Sequence, residues 1–342
     1  MRPTTFIVGT GRSGSSALSR ILNAHPEVLS LNEMLAALTP VALPEGQIPG
    51  TEFWAILSGP NGIFDLMTRS GAALPEFLYT RRPGRFSADN GIPALALMTL
   101  PPLTEDPDTA LDELEPVVCS WPAREIAGHY EALFDHLSGR YGGKVVVERS
   151  GYSVSWIPRL REVFGEARFV HLYRDGPDCA VSMSRHPGYR MIYHLRLMVE
   201  MCGLTSIDEL GEEQVRTLPP ELAGLFADPF DRRLLMDGDI PVACFGRLWS
   251  QIVTEGVESL RGLPPERVTA LSYEDLIAAP GRELARLAEF AGASADPAWI
   301  AHGTRELDPT RHGAALRLPA AELAELRKAC EPGEAALAGA KG

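Results

Sequence analysis

Phe6-Ile-Val-Gly-Thr-Gly-Arg-Ser-Gly-Ser-Ser-Ala-Leu, residues 6–18, passes from an apolar run through glycines and small hydroxyl residues into a helical spacing of Leu18, Ile21 and Leu22. That order reads as strand, tight loop and helix N-terminus. Glycines let the backbone approach an anion, and the free N–H groups and dipole of a helix start favour negative charge, so the stretch is a candidate phosphate cradle. The alternative is a glycine turn in an ordinary α/β protein. Against the nucleoside-triphosphatase pattern G-x-x-x-x-G-K-[ST], Gly9 and Gly14 match, Ser15 stands where the lysine would, and the nearby cation is Arg12. A loop without the lysine that reaches the β and γ phosphates suits a donor with fewer phosphates in line better than it suits ATP.

The 342 residues suffice for one large α/β domain or two small ones, with a sizeable core. Hydrophobic and charged fractions of 45% and 23% are ordinary globular values. A formal net charge of −13 argues against a general binder of nucleic acid or anionic membrane, so an anionic donor must be met by a local cluster of arginines. Cys119, Cys179, Cys202, Cys244 and Cys330 are widely spaced, with no C-x-x-C pair and no signal-like N-terminus, which fits a reduced cytoplasmic setting. No apolar run approaches the roughly 20 residues of a membrane span.

The first helix closes near Asn23-Ala-His-Pro, and Val28-Leu-Ser-Leu reads as a second strand followed directly by Asn32-Glu33. Taken as parallel neighbours about 4.8 Å apart, the two strands put Arg12 and Glu33 at the carboxyl edge of one sheet, where open α/β sheets bind ligands. Residues 39 to 110, rich in proline and glycine, read as an irregular insertion over that edge, and Arg81, Arg82 and Arg85 within it as a solvated charge run rather than ligands. Lys144-Val-Val-Val-Glu148-Arg149 is a buried type of strand with charges at its carboxyl end. Arg168-Phe-Val-His-Leu-Tyr-Arg174-Asp175 then repeats strand, loop, helix, with Asp178 as the expected N-cap and Ser182 about one turn into the helix. Arg174 and Ser182 are therefore candidates to meet a second phosphate; a buried Arg174–Asp175 ion pair is the alternative. Residues 189 to 246 read as a helical insertion whose Met and aromatic stripe is either core or a lid over an acceptor. Val268-Thr-Ala-Leu-Ser-Tyr273-Glu274-Asp275-Leu276 reads as the last main strand, and the tail carries Arg311-His312-Gly313, a helix from about Pro319 and a frayed end.

Together these pieces resemble the sulfotransferases that use 3′-phosphoadenosine 5′-phosphosulfate (PAPS). In that family the loop here formed by Gly11, Arg12, Ser13, Gly14, Ser15 and Ser16 is similar to the element that binds the 5′-phosphosulfate. Tyr173-Arg174-Asp175 with Ser182 resembles the element for the 3′-phosphate, and Tyr273-Glu274-Asp275-Leu276 followed by Pro280 also recurs there. The most similar branch contains bacterial small-molecule and carbohydrate sulfotransferases and the tyrosylprotein sulfotransferases, where an Arg-Ser-Gly loop is followed by Asn-Ala-His-Pro-Glu-Val and then a glutamate. The resemblance implies that Glu33 is the general base, that Arg149 carries the charge of a usual family lysine, and that Tyr273 and Arg311 join the donor site. It implies an α/β, P-loop-like three-layer fold with a central, mostly parallel sheet flanked by helices. Residues 1–342 would then be a single domain, with insertions at about 39–110 and 189–246 shaping the acceptor pocket. PAPS is the expected co-substrate; the acceptor is a hydroxyl on a small molecule, carbohydrate or natural product ahead of a tyrosyl peptide.

The chemistry can be reasoned independently. In-line transfer from a phosphosulfate builds negative charge on the leaving phosphate oxygen, and fixed cations there lower the barrier; Arg12 and Arg149 are the candidates. The attacking hydroxyl must lose a proton, which a carboxylate within hydrogen-bond reach can take. Glu33 fits that task, or else serves as a helix-cap or ion-pair carboxylate. A phosphosulfate offers no β–γ bridge for magnesium, so no catalytic metal is expected. A P-loop nucleotide kinase or NTPase and a non-catalytic nucleotide-binding relative are the competing classes.

Overall fold

The structure, a computed structural model, describes residues 2–205 and 207–340. Five strands, β1 (Thr4–Gly9), β2 (Val28–Asn32), β3 (Val145–Arg149), β4 (Arg168–Tyr173) and β5 (Val268–Ser272), form one sheet in the order β2-β3-β1-β4-β5. Every pairing is parallel. Side chains alternate across a strand, and here both faces are covered, which is why the strands are near-continuous apolar runs. Phe6, Val8, Val146 and Phe169 face one core with Trp249, Tyr130 and Leu326. Ile7, Val147, Val170 and Leu172 face the other, with Leu18, Ile21 and Leu284. The result is the expected three-layer, P-loop-like α/β fold.

The expected adjacency of β1 and β2 is corrected: β3 lies between them, with Ile7 and Asn32 each in register with Arg149. Val145 to Val147 is apolar on both faces and takes an inner position, while β2 becomes the edge. Arg12 and Glu33 keep the same carboxyl edge but stand two strand spacings apart, roughly 10 Å.

The first insertion is corrected in part, since short helices interrupt its irregular stretches. Helices span Gly50–Ser58, Gly62–Arg69, Ala94–Met98 and Pro107–Cys119. Its prolines begin helices: Pro49 and Pro93 are N-caps and Pro107 opens the fourth helix, where a missing N–H costs nothing. Met67 and Ala72 of this insertion pack with Met191, Met198, Phe230 and Leu235 of the second, so the two share a small core of their own. Arg81, Arg82 and Arg85 are exposed, and Arg85 pairs with Asp112. At the C-terminus a helix runs over Ala320–Ala340, burying Leu326, Cys330 and Gly333, and the last two residues of the expected frayed end lie outside the described residues. No helix among the described residues is long and apolar enough to cross a membrane.

Candidate active site

Beyond β1 the chain turns through Gly11 (φ 67°), Arg12 (φ 56°) and Gly14 (φ 80°) into helix α1 (Ser15–Asn23). Arg12 and Glu33 (φ 53°) are non-glycine residues in the left-handed region. Such conformations cost about 1–3 kcal/mol each and persist where the surroundings over-determine them. Two tyrosines press on the loop: a Cβ on Gly11 would lie 1.9 Å from the Tyr189 hydroxyl, and one on Gly14 would lie 2.2 Å from the Tyr273 ring. Thr10 Oγ1 and Ser13 Oγ both donate to the Gly11 carbonyl, at 2.8 and 3.0 Å. Among the described residues the N–H groups of residues 12 to 16 donate to no protein atom, leaving a nest of donors at the start of α1.

The second strand–loop–helix unit meets the first. Asp175, not Asp178, is the N-cap of the helix Gly176–Ser184, accepting from Asp178 N at 2.9 Å, because Pro177 sits at the helix start. Asp178 is buried one step further on, where it accepts from Arg174 (3.1 Å), Gly313 N (2.6 Å) and Ala315 N (2.9 Å). The ion pair of Arg174 is therefore with Asp178, and the same carboxylate ties down the Arg311-His312-Gly313 loop. Arg174 also donates to the carbonyls of Arg12 (3.4 Å) and Arg311 (2.8 Å) and lies 5.0 Å from the Tyr273 ring centre, and its buried Nε has no partner. Arg12 Nε reaches Ser182 Oγ at 3.2 Å. Arg12, Arg174, Arg185, Arg311 and Arg317 line one cleft of about 560 Å³, the local cluster of arginines that an acidic chain needs to hold an anion.

Glu33 enters from the far side of β3. It opens the short helix Met34–Leu38, its N–H donates to the Arg149 carbonyl at 2.7 Å, and its Oε2 accepts from Gly151 N at 2.8 Å. Its Oε1 is ion-paired with Arg149. Arg149 is 2% exposed, and its remaining edges bind Ser19 Oγ (2.6 Å) and Asn32 Oδ1. The arginine thus grips the carboxylate rather than presenting its charge to open space, which differs from the expected place at the leaving oxygen. Beneath them Glu148 is fully enclosed, and burial pushes its carboxyl up to about 7 although Ser150 Oγ (2.6 Å) and Leu35 N (3.2 Å) donate to it.

Glu33, Gly11, Arg12 and Ser15 share a cavity of about 220 Å³ with two residues that the sequence reading passed over, Glu76 and His186. Glu76 pairs with Arg12 Nη1 at 3.1 Å and with His186 Nε2 at 3.2 Å. His186 Nδ1 accepts from Gly188 N, so Nε2 carries the hydrogen toward Glu76. Burial works to raise the Glu76 carboxyl, but the His186 hydrogen bond and the charge of Arg12 outweigh it and hold it at about 2. The sequence signal for His186 was the Pro187 behind it, which marks a helix start with His186 as N-cap; Glu76 sits in a loop and gave none.

Two helix starts at one carboxyl sheet edge, stitched together by arginines, give a P-loop-like α/β fold with a cationic cleft at that edge. No family model matches the chain and no curated protein matches it. Among solved structures it is similar to a sulfotransferase domain from the curacin biosynthetic pathway, at 18% identity and a TM-score of 0.46 over 92% of this chain and 82% of that one. It is also similar to a sulfotransferase from Alicyclobacillus acidocaldarius (17%, TM-score 0.44, 98% and 94%) and to one from Mycobacterium avium (17%, 0.44, 98% and 75%). Likeness at that level carries no argument about chemistry, which rests on the site itself.

Proposed function

We propose that the protein is a sulfotransferase that moves a sulfuryl group from PAPS to a hydroxyl acceptor. The observation that carries the reading is the joining of two anion sites in one edge, by the contacts of Arg12 with Ser182 and of Arg174 with the Arg12 carbonyl. A donor with two separate phosphate groups needs two such sites, whereas the lysine that a triphosphate requires is Ser15 here. The free N–H groups of residues 12 to 16 and the unpartnered Nε of Arg174 fit phosphate oxygens in both.

In this reading the loop and Arg12 hold the phosphosulfate and stabilise the bridging oxygen as the S–O bond to phosphate breaks. Arg174, Ser182 and the Arg311 loop hold the 3′-phosphate, and Tyr273 supports both by packing on Gly14 and under Arg174. The acceptor oxygen forms the new S–O bond from the cavity, and its proton passes to Glu33, whose carboxylate Arg149 and Gly151 N keep oriented. Adenosine 3′,5′-bisphosphate leaves. The test is calorimetric titration of the magnesium-free protein with adenosine 3′,5′-bisphosphate, together with mass spectrometry of acceptors incubated with PAPS for the gain of one SO₃. Micromolar or tighter binding with transfer supports the reading. MgATP hydrolysis with no bisphosphate binding would replace it with the NTPase class.

A further inference from the structure

We propose that the cavity beside Glu33 takes a compact, largely apolar molecule bearing one hydroxyl, an alcohol or phenol, in preference to a sugar or a peptide; naming that molecule the acceptor rests on the sulfotransferase reading. The cavity wall is apolar where the two insertions supply it. Ile63, Phe64 and Met67 come from the helix Gly62–Arg69, and Met191, Ile192 and Leu195 from the helix Pro187–Met201. Methionines adapt to irregular shapes and pack well on ring edges, and Met98 adds a third to the lining.

The polar groups on this wall are almost all committed within the protein. Glu76 holds Arg12 and His186. Tyr189 donates its hydroxyl to the Thr10 carbonyl, the Tyr152 hydroxyl accepts from Arg196, and Thr39 Oγ1 donates to the Leu35 carbonyl. What is left for a guest is the outer lone pairs of the Glu33 carboxylate and the Ser15 hydroxyl at the donor-loop end, with the Tyr152 hydroxyl hydrogen and the Trp156 indole N–H as the remaining donors of the lining. One hydroxyl of a guest is satisfied there. Further hydroxyls of a sugar, or the amides of a peptide, would be stranded against thioethers and alkyl chains, and each stranded group weakens binding by roughly tenfold. Size agrees with this. An apolar cavity of roughly 150 Å³ accepts benzene, so about 220 Å³ holds one ring with a short alkyl arm.

The test uses the whole protein saturated with adenosine 3′,5′-bisphosphate and titrated calorimetrically with para-ethylphenol, cyclohexylmethanol, glucose and a tyrosyl peptide. The two apolar probes should bind at least about tenfold more tightly than glucose or the peptide, with a negative heat-capacity change. Ile192→Asp should weaken them about tenfold by placing a charge on the wall, and Ile192→Trp should do so by filling it, each checked for an unchanged circular dichroism spectrum. Equal or tighter binding of glucose or the peptide overturns the proposal, as does unchanged para-ethylphenol binding in both folded variants. The same probes with PAPS separate the two readings. Apolar binding without sulfuryl transfer to any probe sinks the sulfotransferase reading and leaves the pocket assignment standing. Transfer to glucose or the peptide but not to the apolar hydroxyls sinks the acceptor class and leaves the sulfotransferase reading.

Discussion

Glu33→Gln separates the two tasks that the structure loads onto one carboxylate. Both carboxylate oxygens face donors, Arg149 on one side and Gly151 N on the other. A carboxamide has one oxygen, so one donor is left facing an NH₂, and the Arg149 guanidinium, at 2% exposure, loses its counter-charge. Breaking a buried pair by removing one partner costs about 3–5 kcal/mol, and the Asn32 and Ser19 contacts of Arg149 place this case toward the lower figure. Urea unfolding should therefore show a loss of about 3 kcal/mol. The double variant Glu33→Gln with Arg149→Met should recover part of it, because the stranded charge is gone. Single-turnover transfer from saturating PAPS, measured well below the melting temperature, should fall by roughly 10²- to 10⁴-fold as the proton acceptor is lost. The fall should be smaller for an acidic nitrophenol. A stability loss under about 1 kcal/mol would mean that Arg149 does not depend on Glu33. A rate within a few-fold of the parent would remove Glu33 as base and turn attention to His186 and Glu76 in the same cavity.

Arg174→Ala removes donors to two carbonyls and to Asp178 and exposes the cleft, so affinity for adenosine 3′,5′-bisphosphate should drop at least about tenfold by calorimetry, the worth of one charged hydrogen bond. Gly14→Ala must hold a side chain at φ 80° with its Cβ 2.2 Å from the Tyr273 ring, and should cost about 2–5 kcal/mol in urea unfolding from backbone strain plus overpacking. Pairing it with Tyr273→Ala should return the overpacking share only. Glu148 has a folded-state carboxyl near 7 against an ordinary 4.5, so its contribution to stability is fully present below about pH 4.5 and is lost as pH rises through 7. Glu148→Gln keeps the one oxygen that accepts from Ser150 and Leu35, so the variant should lose the decline in stability between those pH values and be at least as stable as the parent at pH 8. A parent-like pH profile in the variant would show that Glu148 is not the titrating group.

Much of this arrangement was legible because it is written as changes of hydrophobic period. The strand-to-helix switches at Gly9–Ser15 and Tyr173–Gly176 each put a loop at the carboxyl edge, and the structure joins both there; the last strand, read as running on to Leu276, instead stops at Ser272, whose side chain caps a helix that starts at Tyr273. The order of the strands was not legible, since nothing local in Val28 to Asn32 says that a strand from much later in the chain will lie beside it. Prolines misled in the first insertion because the same residue breaks a helix interior and starts a helix well. The same oversight moved the N-cap from Asp175 to Asp178, although Gly176-Pro177 marked the helix start. Whether Arg149 presents its charge to a ligand or spends it on Glu33 depends on side-chain placement across β2, β3 and α1, which no spacing along the chain encodes.

The position of β3 also sets a timetable for synthesis. β1 and β2 leave the ribosome first, but neither touches the other, and Asn32 meets Arg149 only across a separation of 117 residues. At about 5–20 residues per second, that wait lasts roughly 6 to 23 s. For that interval the unpaired backbone edges of Phe6 to Val8 and Val28 to Leu31 are open to any other strand, which is the condition in which nascent chains aggregate or are taken up by chaperones. The phosphate loop cannot close at its helix end until Tyr273 arrives to pack on Gly14, so a ligand that binds the native protein can do nothing to rescue the chain during its most exposed period.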